Sequence, residues 1–374
     1  MNVVVNPSLL RPSHQQSTGR DVTAVPSTAL LNAYSTRNLG DAAIMASIAA
    51  MLPERCAQVA LHSESQIDVP GIALTDVVHS ARRFVSVGGD IFNNSRPRLI
   101  TRSYLRNIQQ LRAHASRTIV FGQTIPSSCG WLGLPMLTAA LRRVRAVVVR
   151  DSESHDLLKR SGVDADLSFD AAFSLAPTQS GIAAAVAHFA GRGLDPARTV
   201  LLSIRSFDSI YRQDPDLFLA RMARLADLLI ARGHQVAVLI QSDVNTNDSD
   251  AVIAQALHCR VPAVRILDLF EPVGTHDRVA TLIGALAIAN IVVAVRYHGA
   301  VLRLVGGRQP YNLYYSRKGR ELQKRLGLTG CALDDFCPED AIPEIEATAD
   351  RGFDPSPVSE NVRGAFDRAY ARIA

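Results

Sequence analysis

Short apolar runs alternate with longer stretches of helical periodicity along most of this 374-residue chain. In the first half the runs are Thr28–Tyr34, Phe84–Asp90, Thr118–Thr124 and Ala146–Asp151; in the second they are Thr199–Arg205, Gln235–Ser242, Val264–Leu269, Ile291–Val295 and Gln309–Tyr315. β-Branched residues dominate the run Ile291–Val295, and a continuous apolar run bounded by polar loops reads as a strand buried on both faces. Helical periodicity lies between them, for example over 216–232, where Phe218, Met222, Leu225 and Leu229 form one stripe closed by Gly233. The alternation predicts α/β architecture with parallel sheets. It runs twice, which predicts two Rossmann-like doubly wound domains facing a cleft.

Domain bounds follow from where the pattern fades. Residues 1–27 show no period and read as an N-terminal extension; 28–175 form the first domain. Residues 176–198, rich in Gly and Pro around a short Ala-rich helix, read as a connection. The second domain spans 199–338, and 339–374 is a C-terminal segment with a terminal helix.

In open parallel sheets, ligands bind beyond the carboxyl ends of strands, so polar residues there are the candidates for chemistry. Ile291–Val295 runs directly into Arg296, Tyr297, His298 and Gly299 before a helical pattern from Ala300. A glycine permits close backbone approach, a helix N-terminus attracts anions, and Arg with His adds charge and a titrating group. This is the signature of a phosphate or carboxylate site. Three other strand-end loops offer Asn38, Gly40 and Asp41, then Gly88, Gly89 and Asp90, then Gln123 and Thr124. Asn38, Gly40 and Asp41 make either a turn with Asp41 as helix cap or a polar loop that meets a substrate hydroxyl. Arg150 follows three valines, and a buried Arg there needs an anion: Asp151, Asp170 or a ligand.

Composition narrows the class. The chain is 47% hydrophobic and 20% charged, as globular proteins are, and no run approaches the ~20 apolar residues of a membrane span. No basic region followed by a long apolar one opens the sequence, so the expected setting is cytoplasmic, with room for peripheral membrane contact. The five cysteines are scattered without a CxxC pair and the ten histidines without metal spacing, so no structural metal is expected. The net charge of +5 suits an anionic small substrate. Basic residues read as spread along the chain, with Arg142-Arg143 a solvated helix face, and no nucleic acid is called for. Only Lys159, Lys318 and Lys324 are lysines.

The ordered motifs Asn38-Leu39-Gly40-Asp41, Gly88-Gly89-Asp90, Phe121-Gly122-Gln123, Val149 through Ser154, Arg296-Tyr297-His298-Gly299 and Tyr315-Ser316-Arg317-Lys318 resemble the polysaccharide pyruvyltransferase family. The resemblance implies a two-lobed, glycosyltransferase-B-like fold. It also implies transfer of a pyruvyl group from phosphoenolpyruvate, a co-substrate rather than a cofactor, onto two hydroxyls of a sugar, nucleotide-sugar or lipid-linked saccharide. Carried onto this sequence, it makes Arg150, Arg296, His298 and Lys318 the donor-handling and catalytic residues. Asn38, Gly40, Asp41, Gly89, Asp90 and Gln123 fall on the acceptor side, with Gly299 offering backbone donors. The competing readings are a nucleotide-sugar glycosyltransferase of the same architecture and a non-catalytic relative.

Overall fold

A computed structural model describes residues 27–61, 66–75, 81–93, 100–126, 130–207, 214–244, 249–271 and 277–374. The extension read at 1–27 lies outside the described residues but for Ser27. The chain forms two compact units.

The first unit gathers residues 27–36, Asp41–Leu175 and Ser356–Ala374. Its strands are β1 (Thr28–Leu31), β2 (Ala57–Val59), β3 (Ile72–Leu74), β4 (Arg83–Ser86), β5 (Thr118–Gln123), β6 (Ala146–Val149) and β7 (Asp166–Leu167). They make a parallel sheet of order β3-β2-β1-β4-β5-β6-β7. Helices α1 (Leu39–Met51), α2 (Arg102–His114), α3 (Gly130–Leu141) and α4 (Ser152–Arg160) connect successive strands. Asp151 caps α4 as its spacing predicts, accepting from the Ser154 N–H at 2.8 Å. Asp41 does not cap α1. The helix starts two residues earlier, and the Asn38 side chain takes the Gly40 N–H at 3.1 Å.

The second unit gathers Arg37–Gly40 and Ala176–Pro355. It opens with α5 (Gln179–Gly191), followed by β8 (Thr199–Ser203), α6 (Pro215–Ala231), β9 (Gln235–Ile240), α7 (Asp250–Arg260), β10 (Arg265–Asp268) and α8 (Arg278–Ile288). Then come β11 (Ile291–Ala294), α9 (Tyr297–Val305), β12 (Tyr311–Tyr314), α10 (Arg317–Leu326), β13 (Gly330–Ala332) and α11 (Pro338–Ala347). All strand pairs are parallel, in the order β10-β9-β8-β11-β12-β13. Helix α12 (Ser356–Tyr370) belongs to the first unit. There Tyr370 Oη lies 2.9 Å from Thr28 Oγ1, and Phe366 packs edge-on against Phe121.

Residues 176–198, read from the sequence as a connection, are built into the second unit by α5. A Cβ on Gly181 would overlap the Ala280 carbonyl, and one on Gly284 would overlap the Gly181 carbonyl, so two glycines bring α5 and α8 backbone to backbone. Asp277 caps the N-terminus of α8, and burial raises its carboxyl above the usual range. At the other end the fully buried Arg303 donates to the carbonyls of Leu286, Ala289 and Asn290. A cation among terminal helix carbonyls meets the negative end of the dipole. Burial nevertheless pushes its pKa well below the usual arginine range, with Arg308 adding to the fall. Among the described residues no helix is long and apolar enough to cross a membrane.

Candidate functional site

In the second sheet the strand order reverses between β8 and β11, and the crevice beyond their carboxyl ends is the expected ligand position. The N–H groups of Val295 and Arg296 both donate to the Ser203 carbonyl, which sets the chain turning from β11 into α9 beside the end of β8. Helix α9 can come this close because its first turn carries Gly299: a Cβ there would overlap Ser203 Oγ. Gly299 is therefore the contact point between helix and strand, and Ser203 Oγ turns to Gln241 Oε1 at 3.1 Å.

Arg296 points into a buried ion pair. Its Nε donates to Asp250 Oδ1 at 2.7 Å and Nη2 lies 2.5 Å from the same oxygen. Asp250 is fully buried, and its Oδ2 accepts from the N–H groups of Gln241 and Ser242 at 3.0 Å each. The carboxylate thus ties α7, the end of β9 and Arg296 together. Sequence reading missed Asp250, because nothing local marks an acid whose partner is remote in the chain.

His298 stands in the first turn of α9, half-buried. The backbone of Gly40 lies against it: a Cβ on Gly40 would overlap Nδ1 and sit 2.8 Å from the His298 Cβ. Residues 37–39 are fixed there by pairing with the end of β9. The Leu39 N–H donates to the Gln241 carbonyl and the Asp243 N–H to the Arg37 carbonyl, both at 2.9 Å, while Arg37 pairs with the Asp243 carboxylate. Asn38 and Ser242 form an antiparallel bridge in the same contact.

Lys318, in the first turn of α10, holds its Nζ 5.7 Å from the Tyr297 ring centroid, and that ring meets His298 edge-on at 5.4 Å. Such a cation over a phenol face is favourable by about 0.5–2 kcal/mol. Arg205, just beyond β8, donates to Tyr315 Oη at 3.1 Å and lies over its ring. It is a further cation at the reversal of strand order, and its position after the Thr199–Ser203 run was the signal available in the sequence. Asn38, Gly40, Arg296, His298, Gly299 and Lys318 are thus brought together within one unit.

Arg150, Gly89, Asp90 and Gln123 lie in the first unit. The Arg150 side chain is 1% exposed, pairs with the buried Asp170 and donates from Nε to Thr124 Oγ1 at 2.8 Å. Of the protein partners open in the sequence, Asp170 is the one present, as Asp250 is for Arg296. Gln123 is fully buried and donates its amide to the Val87 carbonyl. Gly88 packs against the Gly122 carbonyl, and Gly89 bridges Gln123 with φ at 138°, a value that favours glycine. Asp90 is half-buried at the end of the same loop, and Asp41 is half-buried in the first turn of α1.

The family model for polysaccharide pyruvyl transferase matches residues 38–317, from the Asn38 loop to the first residue of α10. Comparison with curated proteins gives no match. Among solved structures, UDP-GlcNAc 2-epimerase from Methanocaldococcus jannaschii aligns with a TM-score of 0.56 at 9% identity, covering 91% of this chain and 98% of that one. ADP-heptose LPS heptosyltransferase II of E. coli aligns at 0.40 and 12%, covering 87% and 98%. The first likeness agrees with the two parallel-sheet units of a glycosyltransferase-B-like fold; at such identity it speaks to the fold alone.

Proposed function

The chain belongs to the polysaccharide pyruvyl transferase family, and from that premise we propose that it moves a pyruvyl group from phosphoenolpyruvate onto two hydroxyls of a sugar, closing a cyclic ketal and releasing phosphate. The observation that carries the reading is the grouping of Arg296, His298 and Lys318 around Tyr297 at the reversal of strand order in the second sheet.

Phosphoenolpyruvate is compact and highly anionic, so its site needs fixed cations at short range. Arg296, held by Asp250, presents a preset guanidinium for carboxylate or phosphate. Lys318 supplies a point charge, and the first turn of α9 adds N–H groups. Arg205 extends the positive rim. Arg150, held by Asp170 as Arg296 is by Asp250, is the first unit's candidate for the same anionic charge.

The reaction begins with a proton delivered to the methylene carbon, which leaves C2 electron-poor. One sugar hydroxyl attacks C2 and loses its proton. Phosphate then departs with the C2–O electron pair, and a second hydroxyl attacks the same carbon to close the ring. His298 is the group we place at the proton transfers; general acid and base catalysis of this kind contributes about 10²–10⁴-fold. The acceptor class is a sugar, free or carried on a nucleotide or lipid, and the cytoplasm, where phosphoenolpyruvate is made, is the setting.

Mass analysis of an acceptor panel incubated with phosphoenolpyruvate tests this. The expected product carries one added pyruvic acid less one water, with one phosphate released per product. A nucleoside diphosphate released from a nucleotide sugar, with no phosphate from phosphoenolpyruvate, would overturn it in favour of glycosyl transfer.

A further inference from the structure

The basic residues are not spread evenly. Residues 91–150 hold ten arginines and no Asp or Glu, while the rest of the chain, with 30 basic and 35 acidic residues, has a net charge of −5. This segment contains α2 and α3. Arg102, Arg106 and Arg112 of α2, and Arg142, Arg143 and Arg145 at and beyond the end of α3, are all exposed. None of these six joins an ion pair among the described residues.

The same two helices carry the largest exposed apolar side chain of the molecule. Trp131, the one tryptophan in the sequence, is 75% exposed, and Leu132 and Met136 beside it on α3 are 40% and 36% exposed. Packing sets the helix that carries this group against the helix that carries Arg102, Arg106 and Arg112. The Tyr104 hydroxyl donates to the Gly133 carbonyl at 2.7 Å and its ring fills the space beside Gly133, so the first turns of α2 and α3 lie side by side. With Tyr104, Leu137 and Leu141 turned into the core, Trp131 and Leu132 are left exposed on α3, the helix packed against α2.

We propose that the exposed face of α2 and α3 docks on an anionic lipid bilayer. Tryptophan settles at the level of the headgroups, Leu and Met reach the acyl boundary, and arginines gain from anionic headgroups. Phosphate binding alone, as on a nucleic acid, gives no use to an exposed Leu and Met, whereas a bilayer takes both parts of the surface. A docked chain meets lipid-linked saccharides directly, but the inference stands on this surface and not on the pyruvyl reading.

The test uses the full chain and its single tryptophan. Emission is recorded with vesicles of neutral phosphatidylcholine and with vesicles containing about a third phosphatidylglycerol. The expected result is a blue shift and quenching by brominated acyl chains with the anionic vesicles only, reversed by high salt. The double variant Arg102→Ser/Arg106→Ser should need roughly 30-fold more anionic lipid for half-binding, taking the usual gain of ~1 kcal/mol per arginine near such a surface. Trp131→Ala should lose vesicle co-sedimentation with an unchanged thermal melt, since the side chain is exposed. Emission unmoved by anionic vesicles, a shift produced by RNA but not lipid, or a shift that tracks protein concentration without vesicles would each overturn the proposal.

Discussion

Both sheets reverse strand order between a first and a fourth strand, yet the two reversal points are filled in opposite ways. In the first sheet β1 runs into Asn32 and β4 ends at Ser86. The Asn32 amide N–H groups donate to Gln110 Oε1 at 3.0 Å and to the Asn107 carbonyl at 3.1 Å, while Asn32 Oδ1 accepts from Ser86 Oγ at 2.8 Å. Helix α2 supplies both partners, and the polar ends are satisfied within the fold. In the second sheet α9 presses on Ser203 through Gly299, Arg296 is held by Asp250, and Tyr297, His298 and Lys318 keep part of their surface exposed. A reversal point is a place where a ligand can bind, and side chains decide whether one does. Here the first is closed by neutral hydrogen bonds and the second carries cations.

Substitutions that separate the two points should differ in kind as well as size. Asp250→Ala should act most strongly, because it leaves a buried guanidinium without its carboxylate; a loss of about 3–5 kcal/mol in stability is expected from denaturant melts, with turnover falling alongside. Gly40→Ala should lower the melt and reduce kcat roughly 100-fold with a smaller change in KM, because its new methyl would overlap the His298 ring and Cβ and must displace them with the first turn of α9. An unchanged kcat would remove Gly40 as the positioning residue for His298. Asn32→Ala should cost about 2 kcal/mol, from lost hydrogen bonds and from a left-handed φ of 60° that alanine adopts poorly. Its turnover per folded molecule should match the parent, and a selective loss of kcat would show the first reversal point to be functional.

Much of the fold is legible in the sequence because buried parallel strands are written as continuous apolar runs. Ile291–Ala294, Thr199–Ser203 and Ala146–Val149 appear where those runs lie. Strands β2, β3, β7 and β13 do not announce themselves, being only two or three residues long. Helix α11 hides behind Pro338 and Pro343, the first tolerated in an opening turn. Of the site, Arg296, His298 and Gly299 are visible as one local motif at a strand end. Asp250 and the contact of Gly40 with His298 are not, since each joins segments that only the folded chain brings together, whereas Asp170 was one of three partners the sequence offered Arg150. The same limit applied to Gln123: its position at a strand end was readable, but its burial against the Val87 carbonyl was not.

The central claim, that the reversal point of the second sheet is the donor site, is tested most directly by titrating phosphoenolpyruvate into the full chain, into Asn32→Ala and into the double variant His298→Gln/Lys318→Met. Both replaced side chains of the double variant are half-buried, so its fold should be retained. Saturable binding is expected for the parent and for Asn32→Ala, with affinity lower by roughly 100-fold in the double variant. Equal binding by the folded double variant, or binding lost in Asn32→Ala instead, would contradict the account.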